Sequence, residues 1–361
     1  MRLTTNNRFK SLIPLIIVLL LLSGCTSPDQ GWSDNRMTVM STSAEIRVFH
    51  QDRPLGHEAV SEAFERMLEI EKAFSVQNNH SQIARINASA GVSPTSVTDE
   101  VRFLLEEGLR HYELSDGLYH IGLGHLIDLW GFNTDPFRVP DTASVTATLE
   151  AAEIGSVQLR GNEVMILERG TSLNLNEPAK GYAMDEAARV LRDLGIACGL
   201  ITLGDDVYAL GEKPGGDSWH VWIKKPFAPD HEMVGYMEVI NLAVTTTGND
   251  VPAPFSDDDT AYYHQVLNPR TGRLVSNELA SVTVVSDTAL DGSIYSTTAF
   301  IMGLDEGYRY LLSAPGLEGL FITQDNVIYT TPGLTGMFHL IDDENYAIDV
   351  MVIENEDELN Q

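Results

Sequence analysis

The sequence predicts an α+β chain of mainly antiparallel sheets with flanking helices, on three observations. The first half carries apolar residues at helical spacing, Ala59, Ala63, Met67 and Ile70 within residues 58–74 and a second such run over 99–115. From residue 201 onward, short strand-like runs separated by turn residues dominate. The chain holds no G-x-G-x-x-G turn and no Walker loop, which removes the dinucleotide-binding doubly wound sheet and the P-loop fold from consideration.

Taken in order, the chain opens with a basic stretch (Arg2, Arg8, Lys10) and an apolar run over 12–22, of signal-peptide rather than membrane-spanning length. Leu22-Ser23-Gly24-Cys25 has the form of a bacterial lipobox. Residues 1–24 are thus expected to be a lipoprotein signal, with Cys25 lipidated and the body exported and tethered to a bacterial membrane. The alternative is an uncleaved anchor helix with an incidental cysteine. Residues 25–36, rich in Ser, Asp, Asn and Gly, suit a flexible linker. The folded body is expected over 37–350 and an acidic tail over 351–361.

Within the body, residues 44–49 alternate like a strand, and 164–167 form a short β-like run. A helical pattern follows, with Ala183, Ala187, Val190, Leu191 and Leu194 on one face. Further strands are expected at 207–210, 219–223, 237–244, 280–285 and 320–323.

The 361 residues carry a formal net charge of −29. Such acidity argues against nucleic acid and anionic lipid as partners. It also makes a bound diphosphate costly unless local cations offset the field. The run Ser256-Asp257-Asp258-Asp259 reads as a solvated loop. If Cys25 is acylated, Cys198 has no disulfide partner; set in an apolar run, it reads as a buried small hydrophobe.

The most informative stretch is residues 174–185. A strand–loop–helix junction with a Lys and a Gly near the helix start is a place where phosphates are held, because a helix N-terminus offers unpaired N–H groups and positive partial charge. Lys180 would add a full charge, and Gly181 would let a ligand approach the backbone. An ordinary turn with Lys180 salt-bridging the acidic surface is the other reading. The stretch Pro178-Ala179-Lys180-Gly181-Tyr182-Ala183-Met184-Asp185 resembles the AKGYAVD signature of the ApbE family, the FAD:protein FMN transferases.

Further blocks resemble the same family in its own order. They are Phe74-Ser75 with Ser81-Gln82-Ile83 and Ile86-Asn87, Ser115-Asp116-Gly117 with Leu129-Trp130-Gly131-Phe132, and Leu203-Gly204-Asp205-Asp206. Thr246-Thr247-Gly248, His264 with Asn268-Pro269-Arg270-Thr271-Gly272, Ser281 to Val285, and Thr297 to Gly303 complete the series. The resemblance runs from about residue 74 to about residue 303.

The resemblance implies a two-lobed fold and a phosphoryl transfer. A Thr or Ser hydroxyl of an exported or membrane redox protein would attack the FMN-side phosphorus of FAD, with AMP leaving and Mg²⁺ supporting the charge. Carried over residue by residue, the metal ligands are the Ala179 carbonyl, Thr297 and the position four before it. There the family has Asp and this chain has Ser293. Asp291, two residues earlier, is a candidate substitute, although i and i+2 face different ways on a helix. Asp206 and His264 are carried over as catalytic, and Lys180, Gly181, Asp185, Tyr119, Thr247, His264 and Arg270 as FAD-binding.

For several of these a structural role is also open. His264 could be a satisfied histidine, Asp206 a turn cap, Tyr119 and Trp130 core aromatics, and Asp185 a residue of the helix's first turn. The chain departs from the family again at Asn174, Asp205, Gln265 and the stretch 119–122. Two alternatives stand beside transfer: a lipoprotein that holds FAD without transferring, and an FAD pyrophosphatase.

Overall fold

The computed structural model describes residues 31–132, 139–229, 231–248, 251–252, 262–263 and 265–351. Cys25, His264, the 256–259 acidic run and residues 352–361 of the expected tail lie outside them. Helices α1 (Arg53–Phe74), α2 (Gln82–Ala88), α3 (Asp99–Leu114), α4 (Gly124–Trp130) and α5 (Thr142–Ala151) precede α6 (Asn176–Asp193). Helices α7 (Ala289–Met302) and α8 (Leu304–Leu312) come late in the chain. Local chemistry fixes several starts. Asp52 accepts the Leu55 N–H ahead of α1, Ser81 the Ala84 N–H ahead of α2, and Asp141 the Ser144 N–H ahead of α5.

A nine-stranded sheet runs in the spatial order Trp32–Val39, Thr42–Phe49, Gly199–Leu203, Asp206–Leu210, Ala243–Gly248, Leu279–Ser286, Glu318–Thr323, Val327–Thr330, Ala347–Asp349. All its pairs are antiparallel except the last. This is the predicted α+β class.

Side-chain alternation splits the core between the faces of this sheet. Tyr208, Leu210 and Ala243 pack with α1, α6 and α7, whereas Ala209 and Val244 pack against a three-stranded sheet of Trp219–Lys224, Met233–Val239 and Phe338–Leu340. Cys198 is a free, buried thiol in that second core, as expected. Among the described residues no helix is long and apolar enough to cross a membrane.

Two expectations are corrected. The linker does not extend to residue 36, because the first strand begins at Trp32. The Trp32 ring packs edge-on to Phe49 and Trp219, at 5.3 and 6.1 Å, with Arg47 over its face, and this aromatic contact outweighs the polar composition that suggested a linker. The single strand expected over 237–244 is two strands belonging to different sheets. The chain turns at Asn241 (φ +56°), whose side chain accepts the Gly211 N–H at 2.8 Å. A single Asn between Ile240 and Leu242 was the one local mark of the turn.

Candidate functional site

A cavity of about 770 Å³ opens where the helices meet one end of the nine-stranded sheet. Its lining is in part apolar, including Leu118, Ile121, Leu123, Ile127 and Phe132, and in part polar, including Glu177, Lys180, Asp205, Asp206, Thr246, Thr247 and Thr297.

Several of the sequence motifs turn out to hold its walls. Asp116 and Gly117 take positive φ (+51° and +83°), and Ser115 Oγ accepts the Tyr119 N–H at 2.8 Å, which turns residues 118–123 into the cavity. The Asn87 amide clamps Leu173 from both sides, accepting its N–H and donating to its carbonyl at 2.8 Å each. The Asn174 N–H then donates to the Ile121 carbonyl at 2.8 Å, so the entry to α6 and the 118–123 segment are tied together. Trp130 is a core residue, as its structural reading allowed; its indole N–H donates to the Gly272 carbonyl at 2.9 Å.

The polar lining holds a compact oxygen cluster. Glu177, in the first turn of α6, reaches across to α7. Its Oε1 accepts from Ser293 Oγ at 2.9 Å and from Thr297 Oγ1 at 3.5 Å. Ser293 Oγ also lies 3.3 Å from the Glu177 carbonyl. Thr247 Oγ1 sits 3.0 Å from both Thr297 Oγ1 and Ser296 Oγ, joining the sheet to this cluster. Asp206 Oδ1 accepts the Thr246 N–H at 3.0 Å.

Burial, reinforced by the charge of Glu177, pushes the Asp206 carboxyl up to about 7, and Lys180 and the Thr246 N–H oppose the rise only in part. Asp205 is ion-paired with Lys224 at 2.5 Å. Tyr119 is 4% exposed and lines the cavity, and its hydroxyl has no hydrogen-bond partner among the described residues. Burial and then Glu177 hold that phenol in its neutral form, well above the usual tyrosine range. Burial likewise keeps His120 neutral at the cavity wall, at about 4.

Lys180, Asp206, Tyr119, Thr247, Ala179 and Thr297 therefore converge on one cavity, with Ser293 hydrogen-bonded to its polar lining. Four other candidates do not. Gly181 faces α7 rather than a ligand, since a Cβ there would meet the Ala289 carbonyl oxygen at 2.4 Å; the glycine serves a close helix crossing. Asp185 is half-buried at that same crossing and accepts the Ala289 and Leu290 N–H groups, at 2.7 and 3.0 Å. It caps α7, and burial holds its carboxyl up at about 7 despite the two donors.

Asp291 is occupied in that helix's own cap, exchanging hydrogen bonds with Thr288 at 2.7 and 3.1 Å, and does not line the cavity. Its carboxylate is thus turned to the cap of its own helix. Arg270 is exposed and paired with Asp116 at 2.7 Å, and it does not line the cavity, although its neighbour Pro269 does.

The residue that sequence reasoning missed is Glu177. An acid in a first helical turn has an ordinary explanation in the helix dipole. The overlooked signal was its place one turn of helix ahead of Lys180, inside the motif itself. The hydrogen-bonded set of Glu177, Ser293, Thr297 and Thr247 consists of oxygens alone, includes one carboxylate, and lies within electrostatic reach of the unpartnered buried Tyr119 hydroxyl. It is the kind of oxygen set that a hard divalent cation such as Mg²⁺ takes.

Comparison with known proteins gives concordant matches. The family model described as the ApbE family matches residues 40–321. The chain is 29% identical over 308 residues to an FAD:protein FMN transferase of Klebsiella pneumoniae, covering 83% of this chain and 94% of that protein. It is 27% identical over 321 residues to one of Treponema pallidum, covering 84% and 88%. The crystal structure of the ApbE protein of Thermotoga maritima shares the fold with a TM-score of 0.76 at 25% identity, over 85% of this chain and 99% of that one. The flavin transferase ApbE of Vibrio cholerae does so at 0.74 and 22%, over 85% and 99%.

Proposed function

This chain belongs to the ApbE family, and from that premise we propose that it transfers FMN from FAD to a Thr or Ser hydroxyl of an acceptor protein, releasing AMP. The observation that carries this reading is a cavity of mixed lining. Its apolar residues suit a flavin ring, and among its polar residues a cation, Lys180, acts on a carboxyl held near neutrality, Asp206.

In the transfer the acceptor oxygen forms a bond to the FMN phosphorus, and the bond from that phosphorus to the AMP oxygen breaks. Lys180 offsets the diphosphate charge. Asp206 takes the hydroxyl proton, and a base titrating near 7 suits that task at neutral pH. Thr246 fixes one oxygen of the Asp206 carboxylate through its N–H. The buried Tyr119 hydroxyl is a donor for a phosphate or flavin oxygen. A Mg²⁺ ion held by the oxygen cluster would neutralise the charge that develops on the diphosphate.

We place the acceptor among exported or membrane redox proteins, reached by a body tethered through a lipid on Cys25. The lipobox form of residues 22–25 supports that tether. Incubating the protein with FAD, Mg²⁺ and an acceptor bearing an accessible Thr should leave flavin fluorescence on the acceptor band of a denaturing gel. Fluorescence that denaturation removes in full would reject transfer.

A further inference from the structure

We propose that Glu177 supplies the anionic ligand to the divalent cation of this site, from α6, in place of a carboxylate at position 293 of α7. The inference rests on the metal-dependent transfer proposed above and assigns the charge within it.

The geometry carries the argument. Ser293 and Thr297 are four residues apart and present their hydroxyls on one face of α7. Neither brings formal charge, and a hard cation seldom dehydrates for neutral oxygens alone. Glu177 answers this from the facing helix, because both hydroxyls donate to its Oε1, at 2.9 and 3.5 Å. Each hydroxyl oxygen keeps lone pairs for a cation. The second carboxylate oxygen, Oε2, accepts from no donor among the described residues.

An independent observation points to a ligand at the same place. The Tyr119 hydroxyl is buried, unpartnered among the described residues, and near enough to Glu177 to feel its charge.

A simple helix-dipole role for Glu177 would need only a carboxylate near the first N–H groups of its own helix. It gives no reason to bridge to α7. Asp291 is unsuited to the ligand role, being bonded to Thr288 in the cap.

The test uses Mn²⁺ as the probe, with binding to the FAD-loaded protein read from the loss of the free-ion EPR signal. Four proteins are compared: wild type, Glu177→Gln, Ser293→Asp, and Glu177→Gln combined with Ser293→Asp. Glu177→Gln should weaken Mn²⁺ binding at least about tenfold while far-UV circular dichroism is retained. The double variant should recover most of the loss, because Asp at 293 returns a carboxylate to the same face as Thr297. Wild-type affinity in Glu177→Gln overturns the assignment and leaves metal-dependent transfer standing. Weakened binding with no recovery in the double variant also overturns it, by showing that Glu177 acts through packing. If FAD-loaded wild type binds no Mn²⁺, the metal reading falls and this inference falls with it.

Discussion

Lys180 is the cation of the cavity's polar lining, in a protein whose formal charge is −29. Without its ammonium a diphosphate meets Glu177, Asp205 and Asp206 with less opposing charge. Lys180→Ala should therefore weaken FAD binding roughly tenfold, about 1.4 kcal/mol, measured by flavin fluorescence titration. Unchanged affinity would remove Lys180 from the site.

Asp206 gives a pH signature of defined sign. Its carboxyl titrates at about 7, so below that pH it is protonated and cannot accept the acceptor's proton. Transfer should rise about tenfold per pH unit in acid and level off above neutrality, and Asp206→Asn should abolish that limb along with most of the rate. A limb that survives in Asp206→Asn would assign the titration elsewhere.

At this scale the sequence pointed to Lys180 and Thr297, which line the cavity. It did not tell that Gly181 and Asp185, in the same motif, meet α7. Residue type and spacing do not say which side of a helix meets another helix.

At the scale of elements the account turns on the crossing of α6 and α7, which brings Glu177 to Ser293 and Thr297. Gly181 allows that crossing, and a Cβ there would press on the Ala289 carbonyl oxygen, which is backbone and cannot swing aside. Gly181→Ala should cost about 1–3 kcal/mol in denaturant unfolding and weaken Mn²⁺ binding as the helices part. Asp185→Ala should cost about 1–2 kcal/mol through loss of the α7 cap.

The Asp185 carboxyl is raised to about 7, above its unfolded value, so its protonated form favours the folded state. That contribution is present in full below the ordinary aspartate range and is lost as pH rises through about 7. Stability should thus fall from pH 5 to pH 8, and Asp185→Asn should flatten part of the slope. An unaltered slope in Asp185→Asn would contradict the assignment.

Helices with a periodic apolar face were readable, α3 to within a residue and α1 except for its first five residues. The strand over 237–244 was not, because Asn241 alone, between Ile240 and Leu242, marks the turn between two largely buried strands. Which sheet a strand joins is decided by distant partners, and no local pattern records that.

At the scale of the whole molecule, the order of family-like blocks along the chain marked both the fold and the cavity, since residues far apart in sequence line one space. The proposed tether rests on the first residues alone. Cys25→Ser should abolish incorporation of a labelled fatty acid and release the body from the membrane fraction; label retained by Cys25→Ser would contradict the lipobox. A body beginning at Thr26 should unfold at a higher temperature than one beginning at Ser33, which lacks the Trp32 packing on Phe49 and Trp219.

The central claim is that the cavity delivers the FMN phosphorus to a protein hydroxyl rather than to water, and it is tested by counting two products at once. The protein is given FAD and Mg²⁺ with and without an acceptor, and AMP and covalent flavin are quantified over time. Transfer predicts AMP released only with acceptor present, one AMP for each flavin attached. AMP released at the same rate without acceptor would show a pyrophosphatase, and FAD held with no AMP in either case would show a binding protein; each result contradicts the account.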